Sequence, residues 1–201
     1  MKVGVLVSGS GTNLQAILDA QRAGGLGPAR VAVVLSNVAG VRALERAKAA
    51  AVATEVLPHK GYASRQAFDE ALVATLRRHD VELVALAGFM RLLTPTFLGA
   101  FPGRVMNIHP ALLPAFPGVH SQKQALDYGA RVTGCTVHFV DDGCDTGPII
   151  AQAAVPVLDD DDVATLTARI LVEEHRLYPA AIRAVAEGRV RSEGRRVKIA
   201  P

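Results

Sequence analysis

The sequence predicts an open α/β sandwich: a mostly parallel sheet with helices on both faces and an antiparallel strand pair toward the C-terminal end. Three observations predict it. Short apolar, β-branched runs alternate with segments of helical periodicity, and that alternation implies right-handed βαβ crossovers. Aromatic residues make up only 4% of the chain and Trp is absent, so the core is built from Ala, Val, Leu and Ile, as suits helices packed on a buried sheet. The 201 residues, half of them hydrophobic, supply enough apolar surface for one sizeable core.

The elements follow in order. Residues 2–7 are a β-branched run, after which Ser8-Gly9-Ser10-Gly11-Thr12-Asn13 opens a helix carrying Leu14, Ile17 and Leu18 on one face. Residues 31–35 form a second strand, 41–51 a helix, 52–57 a strand, and 64–78 a longer helix with Phe68, Leu72 and Leu76 inward. Buried strands are expected at 83–87 and 105–108, the latter ending at His109-Pro110, and a helix at 121–128. Residues 133–140 and 149–157 then read as an antiparallel pair joined by the turn-rich Asp141–Pro148. A helix over 162–187 follows a run of aspartates suited to its positive N-terminus, and Pro179 should kink or restart it.

No repeat or linker marks a boundary, so residues 1–201 read as one domain. A net charge of +3, with basic residues dispersed until 189–198, gives no reason to expect nucleic acid. That final cluster reads as a solvated terminal hairpin. Two cysteines, Cys135 and Cys144, fit neither a zinc pair nor a redox Cys-x-x-Cys, and with no export segment a reducing cytoplasm is expected. No apolar run approaches the roughly 18 to 20 residues needed to cross a bilayer.

Ligands of such sheets bind beyond the carboxyl ends of the strands, which directs attention to residues 8–13, 88–93 and 107–118. Gly9-Ser10-Gly11-Thr12-Asn13-Leu14 has Leu where a dinucleotide fingerprint has its third glycine, and there is no Gly-Lys-Ser/Thr for a triphosphate. A small phosphate ester on Gly11, Thr12 and Asn13 is the functional reading; a simple capped turn is the plain one. In Asn107-Ile108-His109-Pro110, alternate residues of a strand end present an amide and an imidazole to one side, a pair able to stabilise an oxyanion. Asp145 is the candidate partner of His109, expected to raise its pKa and favour the imidazolium. His138 reads as a strand residue satisfied by neighbours, and His120 stays undecided.

Together, Ser8–Asn13, Leu86-Ala87-Gly88-Phe89-Met90-Arg91-Leu92-Leu93, Asn107–Pro114 with Phe116-Pro117-Gly118, and Val137–Val140 leading to Asp145-x-Gly147-Pro148-Ile149 closely resemble the phosphoribosylglycinamide formyltransferases, folate-dependent enzymes of purine synthesis. The resemblance covers almost the whole chain in order and implies a Rossmann-like formyltransferase fold. It also implies that the part at about 1–100 holds the ribonucleotide and the part at about 101–201 carries catalysis and folate binding. By matching positions, Gly11, Thr12, Asn13 and Glu174 would bind the ribonucleotide. Arg65, Met90, Arg91, Leu92, Leu93, Asn107 and the loop Asp141, Asp142, Gly143 and Cys144 would bind 10-formyltetrahydrofolate, the formyl donor. Asn107, His109 and Asp145 would be catalytic, with no metal and no ATP. Partners would be these small molecules, with no nucleic acid or membrane and with monomer or homodimer both open. A 10-formyltetrahydrofolate hydrolase and a non-catalytic folate- or phosphate-binding module are the alternatives.

Overall fold

The computed structural model describes residues 1–201. The chain runs β1 (Lys2–Val7), α1 (Thr12–Arg22), β2 (Arg30–Ser36), α2 (Arg42–Ala49), β3 (Ala53–Val56), α3 (Arg65–Arg78), β4 (Leu83–Leu86), α4 (Pro95–Ala100) and β5 (Val105–His109). It continues with α5 (Ser121–Tyr128), β6 (Val132–Phe139), β7 (Ile149–Pro156), α6 (Val163–Ala186), β8 (Val190–Glu193) and β9 (Arg196–Ile199). A single-turn 3-10 helix spans His59–Gly61. No helix is long and apolar enough to cross a membrane.

Seven strands form one sheet in the order β3-β2-β1-β4-β5-β6-β7, and β8 and β9 form a separate hairpin. Strands β1 to β5 pair in parallel, whereas β6 is antiparallel to both β5 and β7. Two halves of the parallel sheet thus diverge from neighbours β1 and β4, whose carboxyl ends form the topological switch point where such sheets bind ligands. Alternation along β1 builds the two cores. Val3, Val5 and Val7 pack with α1 and α6, while Leu6 faces the other side with Phe68, Leu72 and Leu76 of α3 and Phe97 of α4.

Of the kink or restart expected at Pro179, the restart is corrected: α6 is one 24-residue helix with Pro179 buried inside it. A proline there removes one helical hydrogen bond. The adjoining Tyr178 compensates by tying the helix to the sheet. Its hydroxyl, fully buried, lies 3.0 Å from the Leu86 carbonyl and 3.1 Å from that of Met106, so it can donate to either of two neighbouring strands. Helix α4, the 3-10 turn and a cis Leu113-Pro114 bond were not expected from the sequence.

Candidate active site

The first loop leaves β1 at the switch point. Gly11 caps α1 in the left-handed region (φ 71), and a Cβ there would fall 2.8 Å from the Ala43 backbone, so only glycine lets the turn lie against α2. No side chain caps α1, leaving its first N–H groups directed into a cavity of ≈ 210 Å³ lined by Ser8–Asn13, Ala87, Gly88 and Met90. That is the arrangement of an anion site. Arg46, which the sequence reading did not single out, supports the loop from α2 by donating to the Ser10 carbonyl at 2.9 Å.

Glu174, on α6, reaches this loop through Asn13. Only 4% exposed, it accepts a 2.7 Å hydrogen bond from Asn13 Nδ2, which brings together two residues 161 positions apart. Burial pushes its carboxyl up to about 7, against the opposing pull of Asn13. Because the folded-state value lies above the ordinary 4.5, the native protein binds the proton more tightly than the unfolded chain. Stability from this group is full below pH 4.5 and is lost as pH rises through about 7, a cost on the order of 3 kcal/mol. Glu174→Gln is therefore expected to raise the melting temperature at pH 8 and to leave it nearly unchanged at pH 5. Equal shifts at both pH values in thermal unfolding would contradict the burial argument.

The second loop, after β4, is fastened to the first. Ser8 Oγ donates to Asn37 Oδ1 at 2.7 Å and accepts from the Met90 amide at 2.9 Å. Arg65, the first residue of α3, donates to the Leu92 carbonyl at 2.9 Å, and the Arg91 guanidinium lies 5.3 Å from the centre of the Phe68 ring. Met90 and Leu92 are exposed apolar side chains, whereas Leu93 turns into the core.

The third group is the densest. Asn107 and His109 leave the end of β5 on one side, as the strand period requires. Asp145, held in the left-handed region (φ 55), turns its carboxylate toward both: Oδ1 accepts from Asn107 Nδ2 at 3.4 Å, and Oδ2 lies 3.3 Å from His109 Nδ1 and accepts from the Gly118 amide at 2.8 Å. Burial raises its carboxyl, but His138, the Gly118 amide and His109 outweigh that and hold Asp145 at about 2, below the usual carboxylate range. The Asp141 carboxylate frames the loop from within, accepting from the Gly143 amide at 3.2 Å and the Thr146 hydroxyl at 2.6 Å. Asp142 and Cys144 are exposed on its outer side.

One expectation holds and one changes here. His138 is, as expected, a strand residue satisfied by its neighbours, and register places it opposite Asn107 on β6, where its Nε2 lies 3.2 Å from Asn107 Nδ2 and 3.6 Å from Asp145 Oδ1. Its Nδ1 donates to its neighbour's carbonyl at 2.8 Å, which fixes the ring with Nε2 facing both the Asn107 amide and the Asp145 carboxylate. His109, for its part, is not held charged at rest. Burial pushes its pKa below the ordinary imidazole value, outweighing the upward pull of Asp145 and of the Phe116 carbonyl, which lies 2.8 Å from Nε2. His120 caps α5 and is exposed, outside this hydrogen-bonded group.

Comparison with known proteins gives a consistent picture. The formyl transferase family model matches residues 1–182. The chain is 50% identical to phosphoribosylglycinamide formyltransferase of Mycobacterium tuberculosis, covering 97% of this chain and 92% of that protein. It is 51% identical to the trifunctional purine biosynthetic protein adenosine-3 of Chironomus tentans over 94% of this chain, and spans only 14% of that longer protein. The crystal structure of glycinamide ribonucleotide transformylase 1 from Symbiobacterium toebii superposes with a TM-score of 0.97 at 58% identity, covering 99% of this chain and 93% of that one.

Proposed function

Because the chain belongs to the formyl transferase family, we propose that it passes the formyl group of 10-formyltetrahydrofolate to the primary amine of 5-phosphoribosylglycinamide, releasing tetrahydrofolate. The observation that carries this reading is the cluster of Asn107, His109 and Asp145 beyond the same sheet edge as an uncapped helix N-terminus suited to phosphate. Gly11, Thr12 and Asn13 hold the phosphate, and Glu174 takes part in ribonucleotide binding from α6. The folate lies along Arg65, residues 90–93, Asn107 and the loop 141–144. The division of labour near residue 100 is thus one of function, with Glu174 crossing it.

In the reaction, the neutral amine attacks the formyl carbon, a new C–N bond forms, and the carbonyl electrons move onto oxygen. The Asn107 amide donates to that oxyanion; its N–H toward Asp145, at 3.4 Å, is weakly held and can turn to the substrate. His109, neutral at rest, accepts the proton shed by the amine, directly or through water. The imidazolium then sits between Asp145 and the Phe116 carbonyl, both of which favour it. The same proton passes to N10 as the C–N10 bond breaks, so charge appears on His109 only as the oxyanion forms.

The deciding experiment is the absorbance change on folate deformylation, recorded with and without 5-phosphoribosylglycinamide. Turnover dependent on the ribonucleotide is expected. Equal turnover without it would make the protein a hydrolase, and binding of both ligands without turnover would make it a binding module.

A further inference from the structure

We propose that Arg195, at the tip of the C-terminal hairpin, is a positioning residue that clamps the loop carrying Asp145. The inference rests on the reading of that loop as folate-binding and catalytic. Its guanidinium donates to the Thr146 carbonyl at 2.8 Å, a contact between residues 49 apart and immediately beside Asp145 in the chain. Other basic residues of the cluster serve the hairpin itself: Arg189 pairs with Glu187 at 2.7 Å and Lys198 with Glu193 at 2.7 Å. Arg195 instead spends its charge on a carbonyl of a different element.

The hairpin is built to aim that side chain. Glu193 pairs with Arg196, so the turn has two central residues, Gly194 and Arg195, and Gly194 takes a positive φ of 62, as a tight hairpin turn with glycine at its first central position requires. Val190 and Val197 pack against the larger core and fix the hairpin's base, while Ala200 and Arg189 close it through two backbone-carbonyl bonds of 2.9 and 3.0 Å. The loop it touches needs an external hold. Asp145 occupies a left-handed conformation that costs a non-glycine residue free energy, and two glycines leave no room for adjustment. A Cβ on Gly143 would sit 2.0 Å from Thr146 Oγ1, and one on Gly147 1.8 Å from the Phe139 carbonyl oxygen. Asp141 secures Thr146 from inside by its hydroxyl and Arg195 from outside by its carbonyl, so the residue after the catalytic carboxylate is held on two sides.

The test compares Arg195→Ala and Arg195→Lys with the parent by amide hydrogen exchange and by steady-state kinetics. In Arg195→Ala, amides of residues 142–147 are expected to exchange about tenfold faster while β5 and β6 are unchanged, the scale of one lost charge-assisted hydrogen bond. The KM for 10-formyltetrahydrofolate is expected to rise about tenfold with that for 5-phosphoribosylglycinamide within about twofold, and Arg195→Lys, which keeps a cationic donor, to fall between. Unchanged loop exchange in Arg195→Ala overturns the clamp whatever the activity, and an equal rise in both KM values overturns it as a positioning effect. Faster loop exchange in a protein whose parent has no transferase activity supports the clamp and sinks the functional reading of the loop, so the two failures are distinguishable.

Discussion

Asp145→Asn is expected to lower turnover about a thousandfold while leaving the fold intact, because an amide cannot stabilise an imidazolium as a carboxylate does. Asparagine suits the position otherwise. It tolerates the left-handed backbone (φ 55), and its carbonyl oxygen can still accept from the Gly118 amide 2.8 Å away. The substitution therefore isolates charge from shape. Asp145 titrates at about 2 when folded against an ordinary 3.8, so its contribution to stability is present above pH 3.8 and lost as pH falls through about 2. Thermal unfolding should show Asp145→Asn less stable than the parent at pH 7, by on the order of 2 kcal/mol, with the gap closing toward pH 2. Near-parental turnover in the folded variant would remove the carboxylate from the mechanism.

Asn107→Ala is expected to cost about a hundredfold to a thousandfold in turnover, the range of ~2.7–4 kcal/mol typical of a lost oxyanion donor, and His109→Ala about a hundredfold to ten-thousandfold, the range typical of a lost general base. The pH profile separates them. Only the unprotonated His109 ring can accept the amine proton, so the parent's kcat/KM should rise with pH through an apparent pKa below the ordinary imidazole value. That limb should vanish in His109→Ala and persist in Asn107→Ala. Taking the difference between variants at each pH cancels ionisation of the substrate amine itself. Because His109, His138 and Asp145 lie within 3.3 to 3.6 Å, the measured value belongs to the cluster rather than to one ring. An acid limb that survives in His109→Ala would assign the base elsewhere.

The strands, the three loops beyond them and the pair Asn107 and His109 were legible because each depends on local pattern: β-branched runs, glycine turns, and a strand end with period two; Asp145 was only a candidate partner, carried by the family resemblance. What escaped depends on register between segments far apart in sequence. His138 reads as an ordinary strand residue until β6 is known to lie antiparallel beside β5, with Asn107 opposite it. The charge state of His109 needed its depth of burial, which sequence does not supply, to be weighed against its nearby carboxylate. Helix α4 is only six residues long, too short for a periodic signal. Pro179 does not restart the helix as local preference allowed, and the packing of Tyr178 shows what holds the helix continuous there.

The buried Tyr178 hydroxyl also bears on how the protein acquires its structure. It reaches carbonyls 92 and 72 residues earlier in the chain, and four residues away on the same helix Glu174 reaches Asn13 across 161. Closing contacts of such separation is slow, since the entropy of the intervening chain must be given up before the contacts reward it. The parallel strands can collapse early, but Asn13 at the end of the first loop gains its Glu174 partner only when α6 docks. During synthesis, the N-terminal half must wait with one sheet face covered by α1 but not by α6 until the chain through Tyr178 is available, an interval in which exposed apolar surface invites aggregation.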